Sequence, residues 1–345
     1  AFRGGPDIIA AANLWSRCAE RVLILLKTYK AVTFDELFDG VSAIPWEELL
    51  PADAEFPVKG SSLSSTLSSV PACQSIVKKA VVERLKRGHR VQVLPEDGAL
   101  YKIRFSIRKN MVEVMLDTSG DGLHKRGYRK NSMEAPIKET LAAAIIDLGR
   151  IYPDTLAQDP FCGSGTFPIE AAMMAADIAP GMNRSFLAED WKHLIPRKCW
   201  YEAMDEANER AKLDTETDIQ GFDIDPQVLR AARENAKLAG VDHMIHFQQR
   251  AVKDLHHSKS FGFVIANPPY GERLEEKESL AQLYREIGES FQRLDRWSMY
   301  LITSYENAQR DIGRQADKNR KIYNGMLKTY FYQFLGPKPP KKNTK

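Results

Sequence analysis

From about residue 131 onward the chain alternates short β-prone runs with helical stretches, and this alternation constrains the fold more than any other feature. Residues 156–159, 219–223, 245–249, 261–266 and 299–303 read as strands. Residues 135–148, 166–176, 226–238 and 280–294 read as helices, the third with proline at its first turn. Strands separated by helices must run parallel, so the pattern predicts a doubly wound α/β sheet. Near the end, Asn324-Gly325 lies between two β-prone runs, the pattern of a hairpin, which adds antiparallel strands to that sheet.

The first 116 residues follow a different rhythm. A short helix around Leu14, a strand at 21–29, a helical turn at 34–40 and a helix at 74–86 come first. Strands at 91–94, 101–107 and 111–116 follow, with the serine-rich 61–69 as a loop or polar strand. This is a small α+β unit. Residues 117–130, rich in glycine and basic side chains and without apolar periodicity, read as a basic linker. The expected division is 1–116, linker 117–130, and 131–345, with a helical insertion at about 177–217 that separates the second strand from the first by more than one strand–helix unit.

Three motifs carry the chemistry, each at a predicted strand end. The first is Asp159-Pro-Phe-Cys162-Gly163-Ser-Gly165-Thr166, a glycine loop between strand and helix that lets a ligand approach the backbone. No Lys follows Gly165, so it is not a phosphate-binding Walker loop. Pro168 stands where a dinucleotide fingerprint needs its third glycine. A loop that cradles S-adenosylmethionine needs neither and remains. The second motif, Gly221-Phe-Asp223-Ile224-Asp225, closes the next strand with carboxylates. Asp225 is placed to cap the helix at Pro226, which leaves Asp223 as the ligand for ribose hydroxyls. The third is Asn267-Pro268-Pro269-Tyr270. Two prolines stiffen the backbone, the Asn267 side chain and the Pro268 carbonyl offer two acceptors to one amino group, and Tyr270 offers a face for stacking a base.

In this order the motifs resemble those of class I S-adenosylmethionine-dependent amino methyltransferases. With DTSGDGLHKRGYR, APIKETLAAAII, IAPGMNRSF, NPPYGERL and RKIYNGMLKTYFYQF, and with NLWSRCAERVLILL and PACQSIVKKAVVERL before them, nearly the whole chain resembles the THUMP-domain guanine-N2 methyltransferases of bacterial large-subunit ribosomal RNA, the RlmL/YpsC-like group. The resemblance implies a ferredoxin-like and THUMP RNA-binding region, its N-terminus incomplete in this chain. A Rossmann-like methyltransferase domain with a mostly parallel seven-stranded sheet would follow. It implies S-adenosyl-L-methionine as cofactor, with Gly163, Gly165, Cys162 and Thr166 lining its methionine part and Asp159 beneath them. Asp223 and Ile224 would hold the ribose. Thr140, in the segment with Pro136, Lys138 and Glu139, would lie over the cofactor. The family's acidic residue near the adenine falls on Ala251, which leaves Asp254 as substitute. Asn267, Pro268, Pro269 and Tyr270 would form the target-base site. The implied reaction is methylation of a guanine N2 in 23S ribosomal RNA or a large-subunit precursor. Transfer RNA is the alternative substrate, and a non-catalytic RNA-binding or assembly factor is the alternative role. DNA adenine methylation also suits Asn-Pro-Pro-Tyr, and the RNA-type N-terminal region speaks against it.

Charge leaves room for such a partner. Lys+Arg number 49 against 46 Asp+Glu, so affinity for RNA needs a segregated basic face. Candidates are Lys78, Lys79, Arg84 and Arg87 on the 74–86 helix and its end. Lys125, Arg126 and Arg129, with His124 and Lys130, form a second cluster in the linker. The four cysteines lack metal-ligand or disulfide spacing, so no metal is expected and a reducing, cytoplasmic setting is. No apolar run reaches membrane-spanning length.

Overall fold

The computed structural model describes residues 1–129, 137–149, 155–270, 277–325 and 327–338, with residues 277 and 278 described by their backbone alone. Lys130, Pro136 and the lysine-rich end beyond residue 338 lie outside the described residues. The chain divides into two compact units, Ala1–Leu123 with Arg184–Glu206, and His124–Asn183 with Ala207–Lys345.

The first unit is built on a four-stranded sheet of β1 (Leu23–Lys30), β2 (Val58–Leu63), β3 (Ile103–Arg108) and β4 (Met111–Asp117), in the order β1-β4-β3-β2. β2 and β3 run parallel and the other pairs antiparallel. The helices are α1 (Pro6–Trp15), α2 (Phe34–Ser42), α3 (Trp46–Leu49) and α4 (Val70–His89). α4 starts where the Ser69 side chain accepts from the Ala72 N–H, and it ends at Arg90 with φ 56°. Its buried Cys73, Val77, Ala80, Val81 and Leu85 recur at helical spacing and face the sheet's core. Serines 61 and 62 belong to β2. Residues 91–94, expected as a strand, form none: Val93 is 73% exposed and no neighbouring strand pairs with the segment.

Part of the expected insertion folds into this unit. Ala188, Trp191 and Ile195 join its core. The Trp191 ring stacks on Tyr101 with centroids 4.7 Å apart, and its indole N–H donates to the Leu100 carbonyl at 2.9 Å. Local composition could not assign these residues to a core whose strands all end by Asp117, well before them in the chain.

The second unit comprises α5 (Glu139–Gly149), β5 (Ala157–Asp159), α6 (Thr166–Ala175), the end of α7 (Arg197–Arg210), β6 (Ile219–Asp223), α8 (Pro226–Leu238), β7 (Ile245–Gln249), β8 (Phe263–Ala266), α9 (Lys277–Gln292), β9 (Ser298–Thr303), α10 (Ala308–Ile312), β10 (Lys318–Asn324) and β11 (Leu327–Phe334). The seven-stranded sheet has the order β10-β11-β9-β8-β5-β6-β7, with β5 to β9 parallel and β10 and β11 antiparallel. The chain builds outward from β5 through β6 and β7, then returns to the other side of β5 for β8 and β9. β5 is therefore the point where the winding reverses, the place where open α/β sheets bind ligands beyond their carboxyl ends. Alternate strand residues serve two cores: Ile265, Tyr300 and Ile302 face α5, α6 and α8, while Val264, Ala266, Met299 and Leu301 face the side covered by α9 and α10.

The glycine-rich stretch 117–130 is not a solvated linker where it is described. Asp117 ends β4 fully buried. Its carboxylate accepts from Arg21 and Arg104 at 2.8 Å and from the Ser119 and Gly120 N–H groups at 3.2 Å. Further along, Leu123, Arg126 and Tyr128 are at most 2% exposed.

Candidate active site

The loop after β5 is shaped by its two glycines. Gly163 has φ +52° and Gly165 φ +87°, the left-handed region that favours glycine. The Gly165 N–H donates to the Cys162 carbonyl at 2.8 Å and closes the turn into α6. A Cβ on Gly165 would press on Ala232 and Ile169 at 3.2 Å. One on Gly163 would meet nothing within 4 Å. The loop is thus packed beneath and open above, a shape that leaves its backbone accessible to a ligand.

β6 joins this loop directly. The Cys162 N–H donates to the Phe222 carbonyl at 2.9 Å, and the Gly163 N–H donates to the Asp223 carboxylate at 3.1 Å. The other oxygen of Asp223 accepts from the Asp225 N–H at 3.0 Å. Asp225 caps α8 as expected, accepting from the Gln227 N–H at 2.7 Å. Asp159 is buried at the end of β5, where one carboxylate oxygen accepts from the Phe161 N–H. Burial above all, with the nearby negative charge of Asp223, holds its pKa well above the usual carboxylate range. Burial and the same two carboxylates push the Cys162 thiol up. The Asp223 carboxylate beside an open glycine loop suits a ligand bearing ribose hydroxyls and positive charge. The residues present therefore fit S-adenosylmethionine, whose sulfonium and amino groups are positive.

Of the other residues expected at the cofactor, Thr140 is buried in the first turn of α5. Ile224 is 70% exposed, with its carbonyl accepting from the Gln249 side chain. Asp254 is exposed at the end of the 3-10 turn Val252–Asp254. Thr166 is buried at the start of α6, and its hydroxyl accepts from Arg129 at 2.6 Å.

Arg129 is where the structure departs most from the sequence reading. Expected among the RNA-contacting cations, it reaches inward to the glycine loop. Its Nη1 donates to the Ser164 hydroxyl at 2.7 Å, its Nη2 to Thr166, and its Nε to the buried Glu139 at 2.8 Å. From the other side the Asn235 amide donates to the Ser164 carbonyl at 3.0 Å. Arg126 likewise contradicts its expected role: its guanidinium is buried and paired with fully buried Glu170 at 3.3 Å, where Tyr128 also donates. A buried, neutralised guanidinium cannot reach a phosphate. Lys125 is exposed. Ser164 and Asn235 as supports were not foreseen, because their partners lie 35 and 71 residues away; Glu139, expected in the segment over the cofactor, pairs with Arg129.

The Asn-Pro-Pro-Tyr segment leaves the carboxyl end of β8, the strand beside β5. The Tyr270 hydroxyl donates to Asn267 Oδ1, and the Asn324 side chain lies close enough to influence the same phenol. Burial pushes the Tyr270 phenol up to about 12, so it is neutral and a donor. Beneath, the Tyr284 hydroxyl donates to the Pro269 carbonyl at 3.4 Å, and Tyr284 is fully buried against Tyr305. Asn267 and Tyr270 are half-buried, Pro268 buried and Pro269 exposed.

A ligand-cradling glycine loop, an acidic strand end and an amide–proline loop on three adjacent strands define a class I methyltransferase with S-adenosyl-L-methionine as its cofactor. Comparison with known proteins narrows the class. The family described as "RMKL-like, methyltransferase domain" matches residues 126–333, the THUMP domain matches 31–117, and the RlmL ferredoxin-like domain matches 1–23. The chain belongs to the RMKL-like methyltransferase family and carries a THUMP domain. It is 47% identical to "Putative RNA methyltransferase YpsC" of Bacillus subtilis (strain 168), over 99% of this chain and 90% of that one. It is 34% identical to "Ribosomal RNA large subunit methyltransferase K/L" of Cellvibrio japonicus (strain Ueda107), over 96% of this chain and 46% of that one. The chain thus spans about half the length of that relative. The crystal structure of "SMU.472, a putative methyltransferase complexed with SAH" superposes with a TM-score of 0.90 at 44% identity, covering 98% of this chain and 89% of that chain.

The open side of Gly163 makes a direct test. Gly163→Val forces a β-branched residue to φ +52° and fills the space above the loop. We expect the variant to fold and its Kd for S-adenosylmethionine to rise at least ~10-fold, equivalent to ~1.4 kcal/mol. Isothermal titration calorimetry on the folded variant decides. An unchanged Kd removes the cofactor from this side of the loop.

Proposed function

We propose that this protein is an RNA methyltransferase that transfers a methyl group to the exocyclic N2 of a guanine in 23S ribosomal RNA or its large-subunit precursor. The observation that carries the reading is the Asn267–Tyr270 segment at the end of β8, beside the glycine loop of β5. The THUMP domain and the names of the YpsC and K/L relatives support RNA, and the K/L name supports the large ribosomal subunit. The cysteine usage fits a cytoplasmic enzyme, and among the described residues no helix is long and apolar enough to cross a membrane.

The bound cofactor supplies an electrophilic methyl group on a sulfonium. The chain's own work is positioning. In this reading the target guanine leaves its stack and enters the site, with Tyr270 against its face. The two N2 hydrogens are accepted by Asn267 Oδ1 and the Pro268 carbonyl. An amide oxygen has two lone pairs, so Asn267 accepts from the base while still accepting from Tyr270. Held this way, N2 presents its lone pair to the methyl carbon. A new N–C bond forms as the S–C bond breaks, and the surplus proton passes from N2 to water. Gly163, Gly165, Asp159 and Asp223 hold the cofactor, and Arg129 keeps the loop in place from behind.

The test is methylation of 23S rRNA from a strain lacking the gene, with labelled cofactor and nucleoside analysis. N2-methylguanosine in 23S rRNA is the expected product. Label confined to transfer RNA moves the substrate to that class, and N6-methyladenosine overturns the base assignment.

In the THUMP-bearing unit the basic candidates of α4 differ in their surroundings. Arg84 is bound to Glu47, whose carboxyl it holds down to about 2. Lys78 bonds to Glu96 at 2.7 Å and lies 3.4 Å from the centre of the Phe56 ring. Both side chains are engaged within the unit. Lys79 and Arg87 are exposed, Lys79 with an exposed Glu83 at 3.8 Å and its ammonium 5.8 Å from the centre of the Phe38 ring. If these two contact phosphates, Lys79→Ala/Arg87→Ala lowers the slope of log affinity against log salt by roughly 1.4 to 1.8. Cofactor affinity stays unchanged. Filter binding across a salt series reads it, and an unaltered slope returns both residues to ordinary solvated surface.

A further inference from the structure

The edge of the large sheet carries a second basic surface that none of the motifs explains. β10, the outermost strand, reads Lys-Asn-Arg-Lys-Ile-Tyr-Asn, and five of its seven residues are exposed. Neither β10 nor β11 contains an acidic residue. Their register pairs Lys321 with Tyr330 and Tyr323 with Lys328. Opposed residues of a sheet share a face, so these four form a checkerboard of ammonium groups and phenol rings on one side of the hairpin. Lys321 Nζ lies 5.3 Å from the centre of the Tyr323 ring, and Lys328 Nζ 5.2 Å from that of Tyr330. Tyr323 is 58% exposed, so its ring is open to solvent. Lys318 and Arg320 stand on the other face of the same strand. Among the described residues, none of Lys318, Arg320, Lys321 and Lys328 is held in an ion pair.

The hairpin is also tied to the candidate active site. Its last β10 residue, Asn324, has its side chain near enough to Tyr270 to influence that phenol. The basic strand therefore leads up to the segment that would receive the target base.

Lysines on an edge strand also discourage pairing with other chains, and that purpose needs charge alone. It gives no reason for aromatic rings set between the charges. Alternating cations and rings are what a single-stranded nucleic acid requires, with charge for phosphates and flat faces for bases. We propose that the β10–β11 hairpin is a binding surface for single-stranded RNA, gripping the nucleotides that flank the target base and leading them to Asn267 and Tyr270. The inference rests on the reading of the protein as an RNA methyltransferase, and it adds a substrate contact on the catalytic unit itself.

The test uses the full chain and a fluorescein-labelled 20-nucleotide single-stranded RNA of mixed sequence. A variant with Lys318→Ala, Arg320→Ala, Lys321→Ala and Lys328→Ala should lower the salt slope of binding by roughly 3, because single strands release about 0.7 counterions per phosphate contact. Tyr323→Ala should raise Kd about 5- to 150-fold, the range of one lost base stack. Both variants should keep wild-type circular dichroism and wild-type calorimetric affinity for S-adenosylmethionine. Single-turnover methylation of 23S rRNA at subsaturating RNA should fall in parallel with binding and recover at high RNA concentration. An unchanged slope and an unchanged Kd overturn the proposal, whatever the wild type methylates. If the wild type leaves 23S rRNA unmodified while the variants still lose the salt slope, the hairpin surface stands and the target assignment falls.

Discussion

Asn267→Ala should leave S-adenosylmethionine binding intact and slow the methyl-transfer step at least ~10²-fold. Well-aligned reactants gain up to roughly 7–11 kcal/mol from positioning, and in the proposed reaction two acceptors orient one amino group. The substitution removes one of them and touches neither the glycine loop nor Asp223. It also removes the acceptor of the Tyr270 hydroxyl, so Tyr270→Phe is the control. That variant loses the same internal bond but keeps Asn267 free to bind the base, and its rate should stay close to wild type. Tyr270→Ala should chiefly weaken capture of the base, by roughly 1–3 kcal/mol. Single-turnover methylation at saturating RNA separates rate from capture. A near-normal rate for Asn267→Ala makes Asn267 scaffold.

The second large effect is on stability. Glu170→Ala leaves the Arg126 guanidinium buried without its carboxylate, which costs about 3–5 kcal/mol. For a unit of this size that lowers Tm by roughly 6–20 °C. Replacing both members with apolar residues, Arg126→Met/Glu170→Leu, should recover much of the loss, because the desolvation of the two charges disappears with them. Differential scanning calorimetry reads both. A Glu170→Ala variant with wild-type Tm means that the cavity admits water and that Arg126 is not sealed.

Elements with strong local chemistry were readable from the chain alone. The helix Pro226–Leu238 and the strands Ile219–Asp223 and Ile245–Gln249 fall where expected, because Asp225 and Pro226 mark the helix start and apolar runs mark the strands. The resemblance to THUMP-bearing methyltransferases held for the fold, the family and the cofactor. What failed was whatever depends on a distant partner. Val91 to Leu94 alternate like a strand, but a strand needs a neighbour, and local alternation cannot supply one. Arg126 and Arg129 look like linker cations until Glu170, Glu139, Ser164 and Thr166 surround them. Glycine and charge in one stretch describe a solvated linker and a buried ionic strut equally well, and the carboxylates that decide between them come later in the chain.

The stacking of Trp191 on Tyr101 bears on how the protein is made. A ribosome delivers the chain from its amino end, and domains of ordinary architecture close one after another as they emerge. The first unit cannot do so, because its core takes Ala188, Trp191 and Ile195 from beyond the glycine loop and α6. Its sheet is synthesised early yet waits, with the Tyr101 ring uncovered, until the first segment of the second unit, His124–Asn183, has been made. At roughly 5–20 residues per second the delay is several seconds. During translation the two units are therefore bound to a common schedule, and a nascent chain halted at residue 123 would hold a THUMP region still missing part of its interior.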